Sequence, residues 1–118
     1  MPDDPTLHAL TLALRAFTQE RDWAQFHAPK NLACALSVEA AELLEHFQWL
    51  TEDQSRNLTE AQRAQVATEA ADVLLYLLQL CDQLGIDLAA AAQAKLQANA
   101  QKYPAAKARG RSAKYTDL

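Results

Sequence analysis

Apolar residues recur at three- and four-residue spacing through most of this chain, and the breaks in that period divide it into four predicted helices. Leu7, Leu10, Leu14 and Phe17 mark the first, over about residues 5 to 21, with Asp4 as N-cap and Pro5 at the first helical position. The segment Asp22-Trp23-Ala24-Gln25-Phe26-His27-Ala28-Pro29 abandons the period and puts two aromatics and a histidine into a connection, a composition suited to a ligand. A second helix starts at Pro29 or Asn31 and is expected to reach about Trp49. Residues 51 to 58 are polar and aperiodic, which predicts a mobile connection. Thr59 and Gln62 have capping-box spacing and open a third helix over about 60 to 84, closed by Gly85. Asp87 caps a fourth, Ala-rich helix that ends at Lys102 before Pro104, and the tail beyond is expected to be extended.

The third helix is apolar almost all round, through Val66, Ala70, Val73, Leu74, Leu77, Leu78 and Leu80, and a helix apolar on every face needs cover on every face. Four helices in 118 residues give thin cover, so the chain is expected to form a homo-oligomer, dimer or tetramer, through its second and third helices. Half the residues are hydrophobic and only two are Gly, so the expected class is all-α, a four-helix bundle over residues 1–104 followed by a basic arm over 105–118. No stretch is apolar for the roughly eighteen residues a membrane span needs, and the acidic start does not read as a signal peptide. Cys34 and Cys81 lack zinc or redox spacing and read as core residues of a reducing compartment, so the expected location is cytoplasmic with no membrane partner. The net charge of -4 conceals an asymmetry: residues 102–118 hold five basic groups against one acid. An acidic body with a basic tail does not offer the broad positive face that nucleic acid requires.

Charge spacing then sharpens the picture. Glu39/Glu42 and Glu69/Asp72 are i, i+3 pairs, so each pair projects from one helical face, one turn apart. Exposed helical acids ordinarily have a Lys or Arg three or four positions away, but there is none between Lys30 and Arg56 or between Arg63 and Lys95. Antiparallel packing of the second and third helices would bring the pairs level. Carboxylates within about 4 Å repel by roughly 4 kcal/mol per pair at an effective dielectric of 20, so such a cluster must take up protons or a cation. All-oxygen ligands favour Mg²⁺, with Mn²⁺ as a substitute. A di-iron site is disfavoured because no Glu-x-x-His motif is present; His46 follows Glu42 by four and reads as a structural residue, and Glu45 as a solvated one.

Several segments occur in an order that resembles a known family: Glu20-Arg21-Asp22-Trp23 with Gln25-Phe26-His27, Glu39 through Glu42 to Phe47-Gln48-Trp49, Glu69 to Asp72 with Tyr76, and Lys102-Tyr103-Pro104. Over about residues 7 to 117 the chain resembles the MazG-like all-α nucleoside triphosphate pyrophosphohydrolases, and within them the dCTP pyrophosphatase branch. The resemblance implies Mg²⁺-dependent hydrolysis between the α and β phosphates of a nucleoside triphosphate in nucleotide-pool cleansing. It places the metal on Glu39, Glu42, Glu69 and Asp72, with Glu39 or Glu42 as the base that takes a proton from the attacking water. Trp23 and Trp49 are implied as walls of a base pocket, with Gln25 and His27 as polar contacts and Tyr76 against the sugar. Lys95, Asn99, Lys102 and Tyr103 are implied on the phosphate side, reaching a site of another subunit. Leu14 stands where some dCTP-specific relatives carry histidine. A broad-specificity dNTP pyrophosphatase is the alternative within the same class. A non-catalytic helical nucleotide-binding or interaction module is the alternative outside it.

Overall fold

The computed structural model of the chain describes residues 6–118, and every described element is helical: α1 (Leu7–Glu20), α2 (Pro29–Glu45), α3 (Glu52–Arg56), α4 (Glu60–Gln83), α5 (Leu88–Lys102) and α6 (Ala105–Ala108), with short 3-10 turns at Ala24–Phe26 and Tyr115–Asp117. The four long helices are those the apolar period predicts. Asp4 and Pro5 lie outside the described residues; the described start of α1 is capped by Thr6, whose hydroxyl accepts from the Ala9 amide at 3.0 Å. Among the described residues no single helix is long and apolar enough to cross a membrane.

Three boundaries differ from expectation, each for a local reason. The second helix stops at Glu45, and residues 46–49 close into turns through bonds such as Phe47 N–H to Leu44 O at 2.9 Å. The polar stretch after it is ordered: Thr51 and Gln54 exchange capping-box hydrogen bonds at 2.9 and 3.1 Å and start α3, so a capping box outweighs missing periodicity in a helix too short to show any. The tail contains α6 and the final turn, so it is folded locally where an extended chain was expected. The capping box predicted at Thr59 and Gln62 opens α4 with the same two distances.

The chain divides into two compact units, one ending at Ile86 and the other spanning Asp87–Leu118. In the first unit, α2 and α1 both pack on α4. Among the described residues the buried apolar ones are Leu32 of α2 and Leu78 and Cys81 of α4, while Cys34 on α2 is exposed. That is a small core, and Leu44, Phe26, Val38 and Trp49 leave more than half of their surface in solvent. In the second unit, the Tyr103 and Tyr115 rings meet edge to face at 6.0 Å, and the Lys102 ammonium lies 4.9 Å from the Tyr115 ring centre.

Two helices of the first unit end in the same hydrogen-bond pattern. At the end of α4, Ile86 donates to Cys81 O at 2.8 Å and Gly85 to Asp82 O at 3.2 Å, with Gly85 at φ 66°. At the end of α1, Trp23 donates to Thr18 O at 3.0 Å and Asp22 to Gln19 O at 3.2 Å, with Asp22 at φ 54°. Glycine fills the left-handed position without steric cost, whereas aspartate occupies it under strain. The turn so made folds Trp23 back on α1, its ring 5.7 Å from that of Phe17.

Candidate active site

Helix α2 presents Glu39 and Glu42, and α4 presents Glu69 and Asp72, all four half-buried. Carboxylate oxygens of Glu39, Glu69 and Asp72 lie within 4.8 Å of one another. Glu42 completes the group through its contact with Glu39. The order of contacts is that of antiparallel helices: Glu39 faces Asp72, while His46, later in α2, faces Glu69, earlier in α4.

No lysine or arginine enters this cluster among the described ion pairs. Its nearest cationic candidate is His46, whose Nε2 stands 4.0 Å from Glu69 Oε1. Oxygens Oε2 of Glu39 and of Glu69 are buried without a hydrogen-bond partner among the described residues. The Glu39 carboxyl is pushed up to about 7. Hydrogen bonding to Glu42, open only to the protonated acid, is the main cause, followed by burial, a hydrogen bond to Glu69 and the charges of Glu42 and Asp72. Orphaned hard oxygens and a carboxyl forced toward neutrality describe a site whose charge balance is completed from outside the chain. The donor set, oxygen only, fits a hard divalent cation such as Mg²⁺ or Mn²⁺.

A cavity of about 430 Å³ opens beside the acids, within the 300–1,000 Å³ range of small-ligand sites. Leu10, Leu14 and Phe17 of α1 form one wall, Asp72, Leu75, Tyr76 and Gln79 of α4 another, and Trp23 with His27 closes the end. The Trp23 and His27 rings are 6.4 Å apart, edge to face. Asp72 belongs both to the acidic cluster and to the cavity wall, so the cluster and the cavity are one continuous feature.

Of the residues anticipated from sequence, the structure brings together Glu39, Glu42, Glu69 and Asp72, and beside them Trp23, His27 and Tyr76. Gln25 turns away to donate to the Asp22 carbonyl at 3.0 Å. Trp49 is 87% exposed and does not line the cavity. Lys95, Asn99, Lys102 and Tyr103 belong to the second unit. Sequence reading missed Phe17 as a cavity wall, Gln79, and the position of His46 at the cluster. A signal for Gln79 exists: Asp72, Tyr76 and Gln79 follow at i, i+4 and i+7, one helical face.

The chain is 41% identical over 117 residues to dCTP pyrophosphatase 1 of Homo sapiens and 42% identical to that of Mus musculus, in each case covering 98% of this chain and 69% of the relative. A crystal structure of a pyrophosphatase from Archaeoglobus fulgidus superposes with a TM-score of 0.79 at 41% identity, covering 88% of this chain and 97% of the other. The MazG-like family profile matches residues 34–118, which include all four acids, and with that match the chain belongs to the MazG-like family.

Proposed function

We propose that this chain is a Mg²⁺-dependent nucleoside triphosphate pyrophosphohydrolase that converts dCTP or a modified dCTP, with water, to the monophosphate and pyrophosphate, cleansing the nucleotide pool. The observation that carries the reading is the double membership of Asp72 in a cation-ready acidic cluster and in the wall of a nucleobase-sized aromatic cavity. A ligand served by both has a planar group at one end and a polyanion at the other. The names of the relatives supply the same substrate class.

Glu39, Glu42, Glu69 and Asp72 would hold the cation, with Mn²⁺ as a substitute. Bound there, it would neutralise negative charge on the phosphates and on the transition state. The chain's own groups do the rest. Glu39 or Glu42 takes the proton from the water that attacks the α phosphorus. Trp23 offers a rigid indole face to the base, His27 a polar edge, and Tyr76 packs against the sugar. Lys95, Asn99, Lys102 and Tyr103 serve the phosphates of a nucleotide held at another subunit, and Trp49 completes the base site. An indole as exposed as Trp49 does so when nucleotide or a second copy covers it.

Homo-oligomerisation through α2 and α4, as dimer or tetramer, belongs to the same reading. Among the described residues the buried core is three side chains, and the apolar surface left on Val38 and Leu44 of α2 requires cover. Incubating the protein with each dNTP, with Mg²⁺ or with EDTA, and measuring pyrophosphate tests the proposal. Release from dCTP that EDTA abolishes is expected. Release from all dNTPs alike would instead favour the broad-specificity enzyme, and release from none would leave a binding module.

A further inference from the structure

Outside the acidic cluster, one buried side-chain acceptor has no hydrogen-bond partner among the described residues: the amide oxygen Oε1 of Gln79. Gln79 lines the 430 Å³ cavity, and a second cavity of about 300 Å³ touches its other side. A buried carbonyl oxygen left empty-handed is unfavourable, and a ligand N–H that fills it is rewarded.

Its place along α4 says which part of a ligand it meets. Asp72, Tyr76 and Gln79 lie on one face of the helix, and the seven residues from Asp72 to Gln79 rise about 10 Å. That is the distance scale from the phosphate end of a nucleotide to the far edge of its base. With the polyphosphate at Asp72 and the sugar at Tyr76, Gln79 falls at the base edge. Across the cavity the α1 residues Leu10, Ala13, Leu14 and Phe17 are apolar, and the Thr18 hydroxyl is the one α1 side-chain acceptor on that wall.

We infer that Gln79 is a specificity-determining residue whose Oε1 accepts a hydrogen bond from the 4-amino group of a cytosine base. The inference rests on the pyrophosphohydrolase reading above and adds the residue that reads the base. Cytosine presents an amino donor at position 4 with an acceptor at N3, so an amide meets it with both of its polar atoms. Uracil presents an oxygen at position 4, which repels Oε1 unless the amide turns over and leaves its N–H group where Oε1 was.

The test compares dCTP with dUTP, which differ at that edge alone, in kcat and KM for the wild-type protein, Gln79→Leu and Gln79→Glu, with thermal melting of each variant. Gln79→Leu is expected to cut the dCTP/dUTP ratio of kcat/KM by about five- to tenfold, mainly through KM for dCTP, since one net hydrogen bond is at stake. Gln79→Glu keeps an acceptor and no donor, so it should retain the preference for dCTP over dUTP. Equal losses on both nucleotides in Gln79→Leu, or an unchanged ratio, would overturn the assignment while the pyrophosphohydrolase reading stands. If Gln79→Leu does not fold, Gln79→Glu decides, and loss of the dCTP preference there overturns the assignment. A wild-type protein that releases pyrophosphate from neither nucleotide overturns both readings.

Discussion

Asp72 and Asp82 sit ten residues apart on α4, and their surroundings are opposite in kind. Asp82 faces α1, where the Arg15 guanidinium holds it in a fork, one N–H donating at 2.8 Å, and that hydrogen bonding together with the positive charge keeps the Asp82 carboxyl below its ordinary range. Asp72 faces α2, where it meets other acids and no lysine or arginine, and the strain of that meeting appears as the elevated Glu39 carboxyl. One helix thus carries a finished ion pair and an unfinished charge cluster. The first needs nothing further; the second lacks a counter-charge within the described residues, and on the proposed reading an ion and a polyphosphate supply it.

Neutralising a member of the cluster should break this contrast most severely. Glu39→Gln is expected to lower pyrophosphate release by roughly 10²–10⁴-fold, as loss of a positioned acid–base group does, and Asp72→Asn to lower it through loss of a cation ligand. The same substitutions should raise the melting temperature of the metal-free protein, because they remove like-charge repulsion. A metal-free protein that Glu39→Gln leaves no more stable would count against an unbalanced cluster. Next in size is removal of the divalent ion, where EDTA should abolish turnover and lower the melting temperature relative to the Mg²⁺-loaded protein, read by scanning calorimetry.

The pH dependence sharpens the comparison because the two acids have opposite signs. Glu39 is raised to about 7 in the folded chain from an ordinary value of 4.5, so its contribution is fully present below 4.5 and is lost as pH climbs through about 7. Asp82 is lowered, so its contribution is present above the ordinary aspartate value and is lost as pH falls through the folded one. Melting of the metal-free protein between pH 4.5 and 7.5 should therefore show a decline toward neutrality that Glu39→Gln removes. Divalent affinity, measured by calorimetric titration, should rise over the same window as the proton leaves. The smallest effect belongs to the finished pair: Arg15→Ala should lower the melting temperature only slightly, and less still in high salt, since the guanidinium is largely exposed.

The same two acids mark how far the sequence could be read. Both lacked a local basic neighbour, and for Asp72 that silence correctly signalled a cluster, because the i, i+3 partner Glu69 and the matching pair in α2 repeat the pattern. For Asp82 the same silence carries no such meaning, since its partner Arg15 lies 67 residues away and only tertiary packing joins them. Helix existence followed from apolar period, and the Thr59 cap and Gly85 stop from turn chemistry, so α1, α2, α4 and α5 were all legible. The α3 turn was missed because five residues, Glu52–Arg56, cannot display a period, although the Thr51-x-x-Gln54 cap was there to be read. Spacing singled out the four acids, and the family resemblance singled out Trp23, His27 and Tyr76, which the structure places at the cavity wall. Gln79 was passed over because a lone glutamine on an apolar helix carries no signal until its oxygen is seen to be buried and unpartnered.

The two thiols make the small core measurable. Cys34 lies one turn from Val38 on α2 and Cys81 is enclosed, so a single labelling experiment reads two things: the rate of alkylation at Cys34 reports whether a second copy covers α2, and the lag at Cys81 clocks how often the inner face of α4 is uncovered. Nucleotide or cation that tightens the bundle will lengthen that lag, giving a readout of occupancy that requires no turnover.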